Sequence, residues 1–252
     1  MPAPKAFFIQ AFLLFYFYFM YDNIQEAQKL RAAVLVDGGF FHKRYQRLFK
    51  DQQPFDPVAV VNHLQQMVES YMGTQYRLHR LYYYDCEPLN KKFHHPLTGR
   101  VIDFGRIPSA EFRNRFIEIL RRRSQVQIRL GKLKDNKTWR IRSFCTNDLL
   151  KGKRTLADLQ ESEVVLDVRQ KGIDMQIGID IAMLAWKKQV DRIILIGGDA
   201  DFCPAAEIAR NEGVSFDLDP MDNNIDAQLY SFVDRIISEQ TGKDQKSTQA
   251  AA

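Results

Sequence analysis

The sequence predicts an α/β fold, a mostly parallel sheet flanked by helices, and three observations carry that prediction. Residues 31–37 and 192–197 are short apolar runs that each pass directly into a glycine-rich, aspartate-bearing turn. Continuous apolar runs of that length suit strands covered on both faces, as in a parallel sheet. Between such runs lie segments with apolar residues at helical spacing, so strands alternate with helices and imply βαβ units.

The elements follow in order. Ala32 to Val36 reads as the first buried strand, ended by Asp37, with the Gly38-Gly39 turn behind it. Helical spacing covers 40–50 and 56–72, the second helix opening on Asp56 as N-cap with Pro57 at its first position. A second strand spans 76–84 and stops at Asp85. Pro96, Gly99, Gly105 and Pro108 mark 94–108 as loop. A helix over 109–123 has Ser109 as cap and turns Phe112, Phe116 and Leu120 to one face. Val126 to Leu130 forms the third strand, stopped by Gly131. Residues 132–170 are a polar, basic excursion with a small hairpin expected around 139–144. A helix follows over 174–188, with Ile177, Ile181 and Leu184 inward, then the strand at 192–197. The remaining elements are a helix at 204–211 closed by Gly213, a fifth strand at 214–218 and a last helix at 225–238. No internal repeat is present. One domain over residues 31–238 accounts for all of this, with a disordered tail at 239–252.

The 252 residues are enough for a sizeable core. The net charge of +5 is mild but uneven: residues 121–154 hold twelve Lys and Arg against Asp135 and Asp148, a local balance of +10. Such a block is solvated surface or a seat for a polyanion, whose phosphates bind by releasing counterions. Cys86, Cys145 and Cys203 are odd in number and form no CxxC pair, which excludes a zinc ribbon or disulfide framework and suits a reducing, cytoplasmic setting. Residues 1–30 form an apolar segment and linker, of which 6–21 are almost wholly apolar and aromatic. That stretch falls short of the roughly 20 residues of a spanning helix and has no signal cleavage site behind it. A membrane anchor, a helix packed on the domain and an untranslated extension ahead of Met20 all remain open for it.

In parallel sheets, ligands bind beyond the carboxyl ends of the strands. Asp37 and the Asp199/Asp201 pair occupy such positions, and Asp174 opens a helix after Lys171-Gly172. Carboxylates held close together raise one another's pKa, and a hard divalent cation such as Mg2+ or Mn2+ relieves that repulsion with oxygen ligands alone. Each aspartate has a plainer reading as turn former or helix N-cap; their joint occurrence points to a site. Asp85 and Asp180 are weaker candidates. Asp180 lies six residues past Asp174, roughly 240° around an ideal helix. Gly38-Gly39 and Gly197-Gly198 form neither GxGxxG nor a P-loop, the five histidines show no metal spacing, and no serine has nucleophile-elbow flanks.

Val36-Asp37-Gly38, Lys171-Gly172-Ile173-Asp174-Met175 with Asp180, and Ile196-Gly197-Gly198-Asp199-Ala200-Asp201-Phe202 with Pro204 and Gly213 together resemble the NYN (LabA-like) domain of the PIN-like nucleases. The resemblance implies a PIN-like three-layer fold with a five-stranded sheet of order 3-2-1-4-5. It implies a metal-dependent ribonuclease, with Asp37, Asp174, Asp199 and Asp201 as catalytic and metal-holding residues. Where many relatives carry a polar residue shortly after the first aspartate, this chain has Gly39-Phe40-Phe41.

The expected function is therefore an Mg2+- or Mn2+-dependent endoribonuclease. Asp37, Asp199 and Asp174 would hold the ion, Asp201 would orient water or support a second ion, and Lys171 would contact the RNA backbone. RNA is the expected partner, with no DNA specificity evident and homo-oligomers possible. The rivals are a non-catalytic RNA- or protein-binding module on the same fold and a phosphatase acting on small esters. A membrane-associated location follows only if residues 6–21 anchor the chain.

Overall fold

The computed structural model of the protein describes residues 29–52 and 55–237. The expectations for residues 1–28 and 239–252, the apolar segment included, lie outside the described residues. No helix among the described residues is long and apolar enough to cross a membrane.

Five strands form the central parallel part of the sheet among the described residues: β1 (Leu30–Asp37), β2 (Tyr76–Cys86), β5 (Val126–Ile141), β7 (Arg192–Ile196) and β8 (Ser215–Asp219). They lie in the order β5-β2-β1-β7-β8, which is the arrangement 3-2-1-4-5. Among the described residues the sheet has seven strands rather than five. The additions are β6 (Val164–Lys171), antiparallel on β5, and β9 (Arg235–Ile236), parallel on β8.

Alternation along the central strands sends side chains to two cores. Ala33, Leu35, Tyr82, Tyr84, Ile193 and Leu195 face α5 (Ile173–Trp186) and α6 (Cys203–Asn211). Val34, Val36, Leu81, Tyr83, Ile194 and Ile196 face α1 (Gly38–Leu48), α2 (Pro57–Met72) and α3 (Pro108–Arg121). Every residue from Ala32 to Val36 and from Ile193 to Ile196 is buried completely. Each such Val, Leu or Ile contributes about 1.5–3 kcal/mol, an upper bound because the unfolded chain already hides part of its apolar surface. The three consecutive tyrosines at 82–84 are all buried, since both sheet faces are covered there.

Several elements differ from expectation. The third strand does not stop at Gly131 but runs on to Ile141, carrying the chain out as a ribbon that β6 brings back. No hairpin turns around 139–144: Trp139 pairs with Leu166 in the ribbon, and α4 (Ser143–Leu150) follows. Residues 94–108 are not all loop, because β3 (Lys92–His94) and β4 (Val101–Asp103) form a hairpin. Ser109 is not the cap of α3, whose N-terminus has no side-chain cap bond. The last helix shrinks to α7 (Ala227–Tyr230), and β9 takes the place of the rest. Asp56 caps α2 as expected, accepting from the Ala59 N–H at 3.0 Å.

Candidate functional site

The carboxyl ends of β1, β2 and β7 and the N-terminus of α5 come together at one edge of the sheet. Asp37 ends β1 and caps α1, accepting from the Phe40 N–H at 3.0 Å. The helix can start there only because Gly38 has no side chain. A Cβ at that position would stand 2.5 Å from the Tyr83 hydroxyl and 2.6 Å from the Tyr84 carbonyl oxygen. Asp174 is the second residue of α5; the N-cap is Gly172 in the left-handed region at φ 82°, so Asp174 is not a cap. Asp199 caps the short 3-10 turn after β7, its carboxylate accepting from the Asp201 N–H at 3.1 Å. Asp174, Asp199 and Asp201 are all exposed, whereas Asp37 is half-buried.

These four aspartates share one electrostatic field. The Asp37 carboxyl is pushed above the usual carboxylate range, first by burial and then by Asp174 and Asp85, against the opposing pull of the Phe40 N–H. The Asp174 carboxyl is also pushed up, first by loss of solvent and then by Asp199 and Asp201. Asp174 thus connects the two strand ends. None of the four makes an ion pair among the described residues.

The neighbouring acids are different. Asp85 is fully buried and receives the Arg113 guanidinium at 2.8 Å, the Cys86 N–H at 2.8 Å and the Tyr83 hydroxyl at 3.2 Å. Gln170 donates to it more weakly at 3.4 Å. Because the Tyr83 hydroxyl donates to Asp85, the proton between Tyr83 and His42 belongs to His42 Nε2, which lies 2.8 Å from the hydroxyl. Burial first, and then Arg113, lowers the His42 pKa to about 3, so the ring is neutral at working pH. Asp180 is held by Arg129 at 3.0 Å and by the Tyr84 hydroxyl at 2.8 Å. Asp217 pairs with the buried Arg192, the first residue of β7. Asp85 was the acid most undervalued from sequence. Its place at a strand end was visible, but Arg113 and the burial are tertiary facts.

The donor set suits a hard cation: four carboxylates, all oxygen, with no cationic side chain among them. Even so, no group of three or more His, Cys, Asp or Glu among the described residues is arranged to hold a metal ion as it stands. The side chains would have to draw together around one. Phe40 occupies the space between the two strand ends, its ring 3.0 Å from where a Cβ on Gly198 would lie, and Phe41 is wholly in the core. Phe40 and Phe41 therefore provide packing here and no polar group. Lys171, the last residue of β6, is exposed and opposite Lys132. Within the basic block of residues 121–154, Arg122 is paired with Glu118, Arg123 donates to Asn62, and Arg154 is paired with Glu163. A cavity of about 570 Å3 lies apart from the aspartates, between His95, Phe104, Trp139 and Leu166.

An α/β fold of this strand order with an acidic strand-end edge is the architecture of a PIN-like domain. The model of the NYN domain family matches residues 31–218, and the chain belongs to that family. No curated protein matches the chain. Among solved structures, a protein of unknown function from Vibrio parahaemolyticus is similar at 16% identity and a TM-score of 0.48, over 85% of this chain and 95% of that one.

Proposed function

We propose that the protein is a divalent-metal-dependent endoribonuclease that hydrolyses RNA phosphodiesters at Asp37, Asp174, Asp199 and Asp201, with Mg2+ or Mn2+. The observation that supports this most is the contrast between acids. Asp85, Asp180 and Asp217 are each matched by an arginine, while Asp174 is opposed by Asp37, Asp199 and Asp201 with no cation among them. Repulsion of this kind persists where function needs it, because structure alone is better served by pairing.

Asp37, Asp174 and Asp199 would hold the ion. When bound, it would polarise the scissile phosphate and lower the pKa of a coordinated water. Asp201, exposed beside them, would orient that water for in-line attack or support a second ion. Lys171, three residues before Asp174, offers its ammonium to the substrate backbone. The Asp85 network is too enclosed to touch substrate; it fixes the end of β2 beside Asp37.

The test is cleavage of end-labelled single-stranded RNA with Mg2+, with Mn2+ and in EDTA. The expectation is ion-dependent cleavage, with losses of about 100-fold or more for the Asp199→Asn/Asp201→Asn protein. Equal rates in the variant, or inactivity of clean protein with both ions, would remove the proposal. One observation favours a non-catalytic RNA-binding module instead: Phe40 closes on Gly198 where relatives carry a polar group. RNA binding that persists in chelator, together with tight Mn2+ binding and no cleavage, would select that reading.

A further inference from the structure

The ribbon formed by β5 and β6 keeps like charges opposite one another. Lys132 stands across from Lys171, and Lys134 across from Arg169. Directly paired residues of an antiparallel ladder project from the same face, so these four cations share one side. Past an irregularity at residues 135–139, Arg140 opposite Val165 continues that side. All five cations are exposed. The one acid on this face is Asp167, which lies 3.9 Å from Arg140 and 3.8 Å from Arg169. Lys132, Lys134 and Lys171 make no ion pair among the described residues. The whole segment 126–171 has eleven Lys and Arg against six Asp and Glu, 11 − 6 = +5, which equals the net charge of the chain.

The opposite side of the ribbon is built quite differently. There Trp139 lies edge-on to His95 with ring centroids 4.8 Å apart, Phe104 packs on Trp139 and Phe93, and His95 Nε2 meets the Val164 carbonyl. That side is anchored by the β3–β4 hairpin, so the ribbon holds its position without help from the basic face. Cross-strand cations oppose pairing rather than support it. The face also begins beside the aspartates, because Lys171 is separated from Asp174 by two residues. From Lys171 to Val165 it extends over six residues, roughly 20 Å.

We propose that this face is a binding track for single-stranded RNA. Lys132, Lys134, Arg140, Arg169 and Lys171 contact successive phosphates on one side of the phosphodiester presented to the aspartates. The direction of the track rests on the ribonuclease reading, whereas binding by the ribbon does not.

The test measures binding of a fluorescent 12-nucleotide oligouridylate in EDTA across a salt series, with wild type and the Lys134→Gln/Arg169→Gln double variant. Each phosphate contact on a single strand contributes about 0.7 to the slope of log affinity against log salt. The variant is expected to lose about 1.4 from that slope and to bind about tenfold more weakly near 0.15 M salt. Its melting temperature is expected to stay level or rise, since a like-charge pair has been removed, whereas a structural role would lower it. An unchanged slope and affinity, or no binding by wild type, overturns the track. Binding that weakens as expected in a protein that cuts nothing leaves the track standing and removes the ribonuclease reading instead.

Discussion

Two regions of this molecule gather like charges, and they do so under opposite conditions. At the strand-end edge, Asp37, Asp199 and Asp201 act on Asp174 next to a covered core, so burial adds to repulsion and lifts the Asp37 and Asp174 carboxyls. On the ribbon, lysines and arginines face one another in open solvent, where water and salt screen most of the repulsion. The first arrangement calls for a compact, hard, doubly charged partner at one point; the second suits a long partner carrying many single charges. A phosphodiester chain cut with a divalent ion, as proposed above, would use both.

The largest effect should come from making a matched acid resemble an unmatched one. Arg113→Ala would strand the fully buried Asp85, and losing one partner of a buried pair costs about 3–5 kcal/mol. Chemical denaturation should show that loss at pH 7, shrinking at low pH where Asp85 is protonated. A stability equal to wild type would mean that Asp85 is already neutral.

Next comes the ion. Mn2+ at about 100 times its dissociation constant stabilises by about 2.7 kcal/mol, and a chain of this size gains about 2–4 °C per kcal/mol. A thermal shift of about 5–10 °C is expected for wild type, and little or none for Asp199→Asn/Asp201→Asn. An equal shift in both would place the ion elsewhere.

Removing a charge from the acidic edge should stabilise the free protein. The Asp37 pKa is raised in the folded state above its ordinary 3.8. The folded protein therefore holds its proton more tightly than the unfolded chain, and stability falls as pH rises from the unfolded value through the folded one. Asn retains the N-cap and removes the charge. Asp37→Asn should melt about 2 °C higher than wild type at pH 7, with the gain vanishing below the ordinary value, while activity is lost. A lower melting temperature at pH 7 would show that repulsion at this edge is not the controlling effect.

Much of the fold could be read from the residues. The buried runs at Ala32–Val36 and Ile193–Ile196 identify central strands, because only a sheet covered on both faces tolerates them. The breaks came where a tertiary contact overrode a local signal. Gly131 looked like a strand terminator, yet it lies inside β5 because a side chain there would meet Ile173 at 2.8 Å and the Lys171 carbonyl at 2.9 Å. The apolar spacing of 225–238 predicts a helix, but the open edge of β8 takes Arg235 and Ile236 as a strand, and the Asp234 carboxylate accepts from the Phe216 N–H at 2.8 Å. At the site, Asp37 and the Asp199/Asp201 turn followed from their places after buried strands. Asp174 had the weakest local case, since a helix start explains an aspartate by itself. In space it is the residue whose charge is coupled to Asp37, Asp199 and Asp201 alike. The partnering of Asp85, which depends on Arg113 from a distant helix, left no local mark.

In the proposed function these four carboxylates form one ion site. Its most direct test is a crystal grown with Mn2+ and measured at the manganese absorption edge. The expected result is an anomalous peak bounded by Asp37, Asp174 and Asp199, with Asp201 in its second sphere or on a second ion. An empty edge at millimolar Mn2+, or a peak held only by surface acids away from β1 and β7, would contradict it.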